Sequence, residues 1–311
     1  VETMKAIRKA LDAIDPTIYI LGEGWTAGKA QLPDSLLAMK KNVYQMPGVA
    51  AFSDEFRDGL RGPFGDDAKG GFIVGRPHFE ADVRYGIVGG ISHPQLTGDS
   101  IASSVAVWAN SPMQFISYVS CHDDLCLFDR LRKIVPGASV KELYAWQKLA
   151  ETAVLTSQGV PFIYSGDEIL RSKYGVANSY NSGDSINAIN WGLKTIHREV
   201  FDYIRGLIAM RKAHPALRLG SPDLIRKHLE FIHVPATNVV AFRLKGKPCG
   251  DSWLNTIVVL NARTEPIKVD IPDGKYWIAC RDGKIDLVLG LGTLQGNQTV
   301  VAPMSAMIIH Q

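Results

Sequence analysis

The chain has 311 residues, 46% of them hydrophobic, enough for one large domain or two smaller ones with a substantial core. Its formal net charge of +3 comes with no basic stripe, which argues against nucleic acid as the main partner and says little against a neutral one. No apolar run is long enough to cross a bilayer, and Cys121, Cys126, Cys249 and Cys280 fall in no CxxC or Cys/His zinc spacing, so they read as buried thiols rather than a metal site.

The pattern opens on a helix over residues 1–14, with Val1, Met4, Ile7, Leu11 and Ile14 on one face. It has neither a starting methionine nor an N-cap, so Val1 reads as the middle of something larger. Asp15-Pro16 makes a turn, and 18–21 reads as a buried strand. Residues 49–52 are a weaker strand and 114–119 a clearer one. A helix follows over 141–158, turning Leu143, Trp146, Ala150, Ala153 and Val154 inward, with Gly159 at its end and a strand at 160–164. A further helix over 197–212 carries Val200, Phe201, Ile204, Leu207 and Ile208. Strands alternating with helices predict a parallel sheet. Two long loops, 59–98 and 172–191, each lie near a candidate acid and read as functional.

Beyond His214-Pro215 the helical period fades. Strands are expected at 230–234, 239–245, 255–260, 275–280 and 300–309, with turns at Pro235–Asn238 and Pro272-Asp273-Gly274. The expected organisation is therefore α/β then β: an α/β unit over 1–215 and an antiparallel β-sandwich over 216–311.

Two acids stand at the tips of apolar runs. Glu23 lies in Ile20-Leu21-Gly22-Glu23-Gly24-Trp25, and Asp123 in Tyr118-Val119-Ser120-Cys121-His122-Asp123-Asp124. Glu23 has two readings. As a structural residue it caps a helix or pairs with an arginine. As a catalytic one it is an acid at a strand end, where barrel active sites sit. Its pKa would then be raised against an apolar wall such as Trp25. The pair His122-Asp123 is likewise either a satisfied hydrogen bond or a sugar-binding imidazole beside an anion that meets oxocarbenium charge. Two carboxylates with an indole and an imidazole fit glycosidic chemistry. Asp124 is assigned as an ion-pair partner, for instance of Arg130 or Arg132. The run Asn178-Ser179-Tyr180-Asn181-Ser182-Gly183-Asp184-Ser185-Ile186-Asn187 is either a polar surface loop or a sugar-binding rim of paired donors and acceptors. Phe52-Ser53-Asp54-Glu55-Phe56-Arg57-Asp58 reads as a helix start with local ion pairs, with Arg57 reaching the cleft as the alternative.

The runs GEGW (around Glu23), YVSCHDD, QGVPFIYSGDE and NSYNSGDSIN, with the opening VETM and the ending VAPMSAM, resemble type I pullulanases. These are debranching enzymes of the α-amylase superfamily (glycoside hydrolase family 13). The resemblance implies the C-terminal half of a (β/α)8 TIM barrel followed by a β-sandwich. It implies retaining hydrolysis of α-1,6 branch linkages in pullulan, starch or glycogen. It makes Glu23 the general acid/base and Asp123 the transition-state-stabilising acid, with His122, Trp25, Tyr180 and Asp184 lining glucose subsites.

The family usually reads His-Asp-Asn where this chain has His122-Asp123-Asp124. Its nucleophilic aspartate lies on a strand just before the VETM helix, where this sequence starts. The expectation is thus a C-terminal part of such an enzyme, inactive by itself and self-associating through the open edges of a half barrel. The partner expected is an α-glucan. No cofactor or metal is expected: calcium occurs in many relatives, but no loop here has a calcium-ligand spacing. The alternatives are another family 13 activity (isoamylase-like or branching) and a non-catalytic glucan-binding module.

Overall fold

Apolar runs too short to fold alone are paired here into two sheets. In the computed structural model, which describes residues 1–26, 28–96 and 107–311, the first part of the chain runs α1 (Glu2–Asp12), β1 (Ile20–Gly22), β2 (Val49–Phe52), α2 (Asp54–Arg61), α3 (Glu80–Ile87), β3 (Phe115–Ser117), α4 (Leu127–Ile134), α5 (Val140–Thr156) and β4 (Val160–Pro161). The strands pair in parallel in the order β1-β2-β3-β4. Parallel pairing puts all four carboxyl ends on one edge of the sheet, where Glu23 and the His122-Asp123 segment emerge. The short helices α6 (Asp184–Asn187) and α7 (Leu193–Ile196) lead into α8 (Arg198–Ala213) and α9 (Pro222–His228).

The remainder is β: β5 (Leu229–Ile232), β6 (Val239–Lys245), β7 (Asn255–Asn261), β8 (Ile267–Arg281), β9 (Lys284–Ile285), β10 (Thr293–Val301) and β11 (Ser305–His310). These form one antiparallel sheet in the order β10-β8-β11-β7-β6-β5, with β9 paired to β8. Side chains alternate across it. Val258 and Leu260 of β7 join the core that contains Trp146 and Leu149 of α5. Ile257 and Val259 face a second core with Val269, Ile271 and Val301, so the β8–β10 ribbon folds over the outer face of its own sheet. At the junction, His214 pairs with Asp251 at 2.8 Å and stacks on Trp253.

Local chemistry sets several boundaries. Ser139 and Glu142 form a reciprocal capping box that starts α5. All five inward residues expected on α5 are buried. Several expectations need correction. The first strand is not buried: Leu21 is 44% exposed, because β1 is a sheet edge with one neighbour. The apolar face of α1 is also largely open, with Ile7 and Ile14 exposed, and the helix anchors instead through buried Arg8, which reaches the Ile18 carbonyl and Asp12. The loop expected at 59–98, whose end at Gly98 lies outside the described residues, contains α3. Gly86 hides this helix from its sequence pattern; a Cβ there would meet the Phe56 ring of α2 at 2.0 Å, so close packing requires the glycine. Lastly, Pro272-Asp273-Gly274 is no turn. Asp270 pairs with Gln298 and Gly274 with Gly296, so a bulge sets 271–273 opposite Asn297 and β8 continues. The single strand expected at 300–309 divides into the end of β10 and β11.

All four cysteines are free, and among the described residues no helix is long and apolar enough to cross a membrane. Because one core joins the helices to the β-sheet, Phe242→Ala should lower unfolding free energy by about 3–5 kcal/mol. Urea denaturation followed by circular dichroism and by tryptophan fluorescence should show both signals shifting together; a shift confined to one would contradict a shared core.

Candidate active site

The segment after β1 turns sharply at Gly24, whose φ is 74°. A Cβ there would lie 2.9 Å from the Ala51 side chain and 3.1 Å from the Lys40 nitrogen. Glycine therefore lets the Glu23 loop lie against β2. The Lys40 N–H donates to the Gly24 carbonyl at 2.6 Å, and the Lys40 ammonium bridges Asp54 at 3.0 Å and buried Glu55 at 2.9 Å. Glu55 also accepts from the Trp108 indole. The loop bearing Glu23 is thus tied to the start of α2.

The segment after β3 is held more tightly. Lys173 is fully buried, and its ammonium donates to the carbonyls of His122 at 2.8 Å, Asp124 at 2.6 Å and Ala177 at 3.1 Å. Asp124 pairs with buried Arg61 at 2.7 Å, with Arg130 at 4.0 Å. Of the partners expected for Asp124, Arg130 pairs with it at that longer distance, while Arg132 lies over Phe128 instead; the closer partner, Arg61, is not among those expected. Asp124 has φ 63°, a left-handed backbone that Asp and Asn tolerate better than most residues with a side chain.

These supports bring Glu23, His122 and Asp123 together. One donor atom from each lies within 4.8 Å of the others, and the His122 Nε2 to Asp123 Oδ1 distance is 3.3 Å. All three side chains are exposed at the mouth of a cavity of about 580 Å³. Trp25, Phe52, Asp54, Arg57, Phe64 and Tyr118 line it with them. Such a donor set would also suit a divalent cation, though nothing else in the cavity selects one. Glu23 is more exposed than the apolar wall expected for it implies, because Trp25 is itself 42% exposed.

The floor is aromatic. Phe52 packs edge-on against Tyr118 and Phe162, with ring centroids 4.9 and 5.2 Å away. Arg57 donates to the Tyr118 hydroxyl at 3.0 Å and to Asp58 at 2.6 Å, presenting its guanidinium to the cavity. Burial pushes the Tyr118 phenol up, so it stays neutral.

Tyr180 and Asp184 lie outside this cavity. Tyr180 is 81% exposed and Asp184 opens α6; their loop reaches the lining only through Asn178. Lys40, Lys173, Arg61 and the aromatic floor carry no signal of this role in the sequence, whereas Arg57, for which both a local ion pair and a reach to the cleft stand open, makes the ion pair and also lines the cavity. No spacing rule links these residues to the site, since Lys173 reaches His122 and Asp124, Arg57 reaches Tyr118 and Arg61 reaches Asp124 across sequence separations of 49 to 63.

Beneath the His122-Asp123 segment lies a buried acidic pair. The Ser120 hydroxyl donates to Asp167 at 2.6 Å, and Glu151 is buried with no hydrogen-bond partner for either carboxylate oxygen. Burial pushes Asp167 up to about 7, against the opposing Ser120 hydrogen bond, and pushes Glu151 well above the carboxylate range. A carboxyl that is harder to ionise in the fold binds more protons than the unfolded chain between about 4 and about 7. Its stabilising contribution is complete below that window and is lost as pH rises through it. Asp167→Asn keeps an acceptor for Ser120. Urea denaturation at pH 5 and pH 8 should show this variant losing less stability on alkalinisation than wild type; equal losses would contradict the assignment.

Residues 225–284 match a family described as the pullulanase all-beta domain. The chain is 34% identical to a pullulanase of Bacillus subtilis over 281 residues, 90% of this chain and 38% of that protein. It superimposes on pullulanase from Bacillus acidopullulyticus with a TM-score of 0.91 at 34% identity, covering 100% of this chain and 36% of the other. With pullulanase from Paenibacillus barengoltzii, solved in complex with maltohexaose and α-cyclodextrin, the TM-score is 0.87 at 37% identity, covering 99% and 46%. The chain thus spans less than half the length of each of these relatives.

Proposed function

Because this chain belongs to the pullulanase family, we propose that it supplies the general acid/base and the charge-stabilising acid of a debranching glycoside hydrolase acting on α-1,6 linkages of α-glucans. The observation that carries this reading is the convergence of Glu23 and Asp123 from two strand ends onto one open cavity. In it, β1 to β4 and their helices form half of a (β/α)8 barrel over 1–215, and 216–311 is the separate β domain.

In the proposed reaction Glu23, standing free in solvent, protonates the glycosidic oxygen and later takes a proton from water. Asp123 faces the anomeric carbon and stabilises the positive charge that develops there. His122 donates to a hydroxyl of the same ring, and Trp25 offers it a flat apolar face. Tyr180 and Asp184 belong to sugar positions beyond the cavity. Membership of the family carries the expectation that the anomeric configuration is retained, through a covalent glycosyl-enzyme intermediate.

Retention requires a nucleophilic carboxylate. Of the other acids in the cavity, Asp54 is paired with Lys40 and Asp124 with Arg61, so neither is free to attack. The reading therefore finds no free nucleophile among the described acids that line the cavity, and takes the chain to bind glucan without turning it over. Calorimetry should detect maltohexaose binding to the chain, and a reducing-sugar assay on pullulan should detect no hydrolysis. Turnover by the chain alone would move the nucleophilic role onto Asp123 and contradict this assignment; absence of binding would remove the glucan reading. In any polypeptide joining this segment to a nucleophile, Glu23→Gln should lower kcat on pullulan by about a hundred- to ten-thousandfold.

The outer edges of β1 and β4 are unpaired among the described residues, and Leu21 of β1 and Tyr19 just before it are exposed. Such edges recruit other strands. Light scattering at high concentration should return a mass above the 34.1 kDa of one chain; a clean monomer would contradict self-association.

A further inference from the structure

One tight turn beside the cavity holds a bulky residue where its backbone favours none. Residues 173–176 close through the Val176 N–H to the Lys173 carbonyl at 3.0 Å, with both central residues left-handed: φ is 55° at Tyr174 and 80° at Gly175. Two consecutive positive φ values mark the type I′ turn, whose first central position favours Asn, Asp or Gly. An aromatic residue there is an outlier.

The surrounding structure forces this conformation. Buried Asp129 accepts from the Ser172 hydroxyl at 2.6 Å, the Lys173 N–H at 2.7 Å and the Gly175 N–H at 3.2 Å. The Tyr174 N–H donates to Ser172 Oγ at 2.8 Å. Lys173 carries its ammonium down to the carbonyls of His122 and Asp124, while the next side chain is left outside. Packing does not offset the strain, because Tyr174 is 71% exposed. Tyr180 and Trp191 are exposed too, but their backbones are not left-handed. Strain that persists without a packing reason is a mark of function.

The position indicates which function. Tyr174 lies three residues before Ala177, which lines the cavity, so the two backbones are at most about 11 Å apart. An exposed tyrosine offers a rigid apolar face with a polar tip, the surface on which a sugar ring stacks. We propose that Tyr174 is a stacking platform for a glucose unit of an α-glucan that extends beyond the cavity, outside the unit held at Trp25. This rests on the α-glucan reading above.

The test is calorimetry of the wild-type chain, Tyr174→Ala, Tyr174→Gly and Tyr174→Phe with maltohexaose and with maltotriose, beside a thermal melt of each. Loss of one aromatic stack should weaken maltohexaose binding roughly three- to tenfold in the Ala and Gly variants, with Phe within about twofold of wild type. Maltotriose, too short to leave the cavity, should bind all four alike. Tyr174→Gly should melt higher than wild type because the strain is gone, separating the binding loss from misfolding. Wild-type affinity for maltohexaose in the Ala and Gly variants would overturn the platform and leave the glucan reading standing. Failure of wild type to bind either sugar would overturn both.

Discussion

A buried ammonium holds the site together. Lys173 spends its three donors on main-chain carbonyls of His122, Asp124 and Ala177, so one point charge fixes two loops against each other. Burial lowers its pKa, yet the carbonyl dipoles around it are arranged for a cation. With Arg61 gripping Asp124 from the other side, the Asp123 backbone between them has little freedom. In the role proposed for Asp123, such fixation means that no reorganisation is needed as charge develops.

The Glu23 loop follows the same logic with different parts. Its fixing group is Lys40, which reaches the first turn of α2 through Asp54 and Glu55, while its backbone closes on Gly24. In both loops the charged anchor is held inside, Lys173 fully buried and Lys40 half-buried, while the candidate acid stays exposed. The parallel sheet sets the coarse position, since both loops leave the same edge; the lysines set the fine one. The β-sheet reaches the site only indirectly, through the core it shares with α5.

Much of this was legible in the sequence. The strand 49–52, the α5 interior and the strand 239–245 followed from apolar periodicity alone, because each buries a face that the pattern must encode. Glu23, His122, Asp123 and Trp25 stood out because acids at strand tips leave a mark in one dimension. Tyr180 and Asp184 were drawn in by their motif, and local composition cannot say how far a loop leans toward a cavity. Lys173 and Lys40 were invisible because a buried lysine and a surface lysine read alike. The Pro272-Asp273-Gly274 error has a similar origin: a bulge absorbs a turn signal when the partner strand can shift register, and that depends on Gly296, far along the chain.

The account stands on Glu23 and Asp123 addressing one sugar ring. A crystal structure of the chain with maltohexaose tests that most directly. The account predicts a glucose ring over Trp25, with a glycosidic or anomeric hydroxyl oxygen within about 3 Å of Glu23 and the anomeric carbon facing Asp123. Sugar bound elsewhere, with this cavity empty, or a ring that contacts one acid while the other points away, would contradict it.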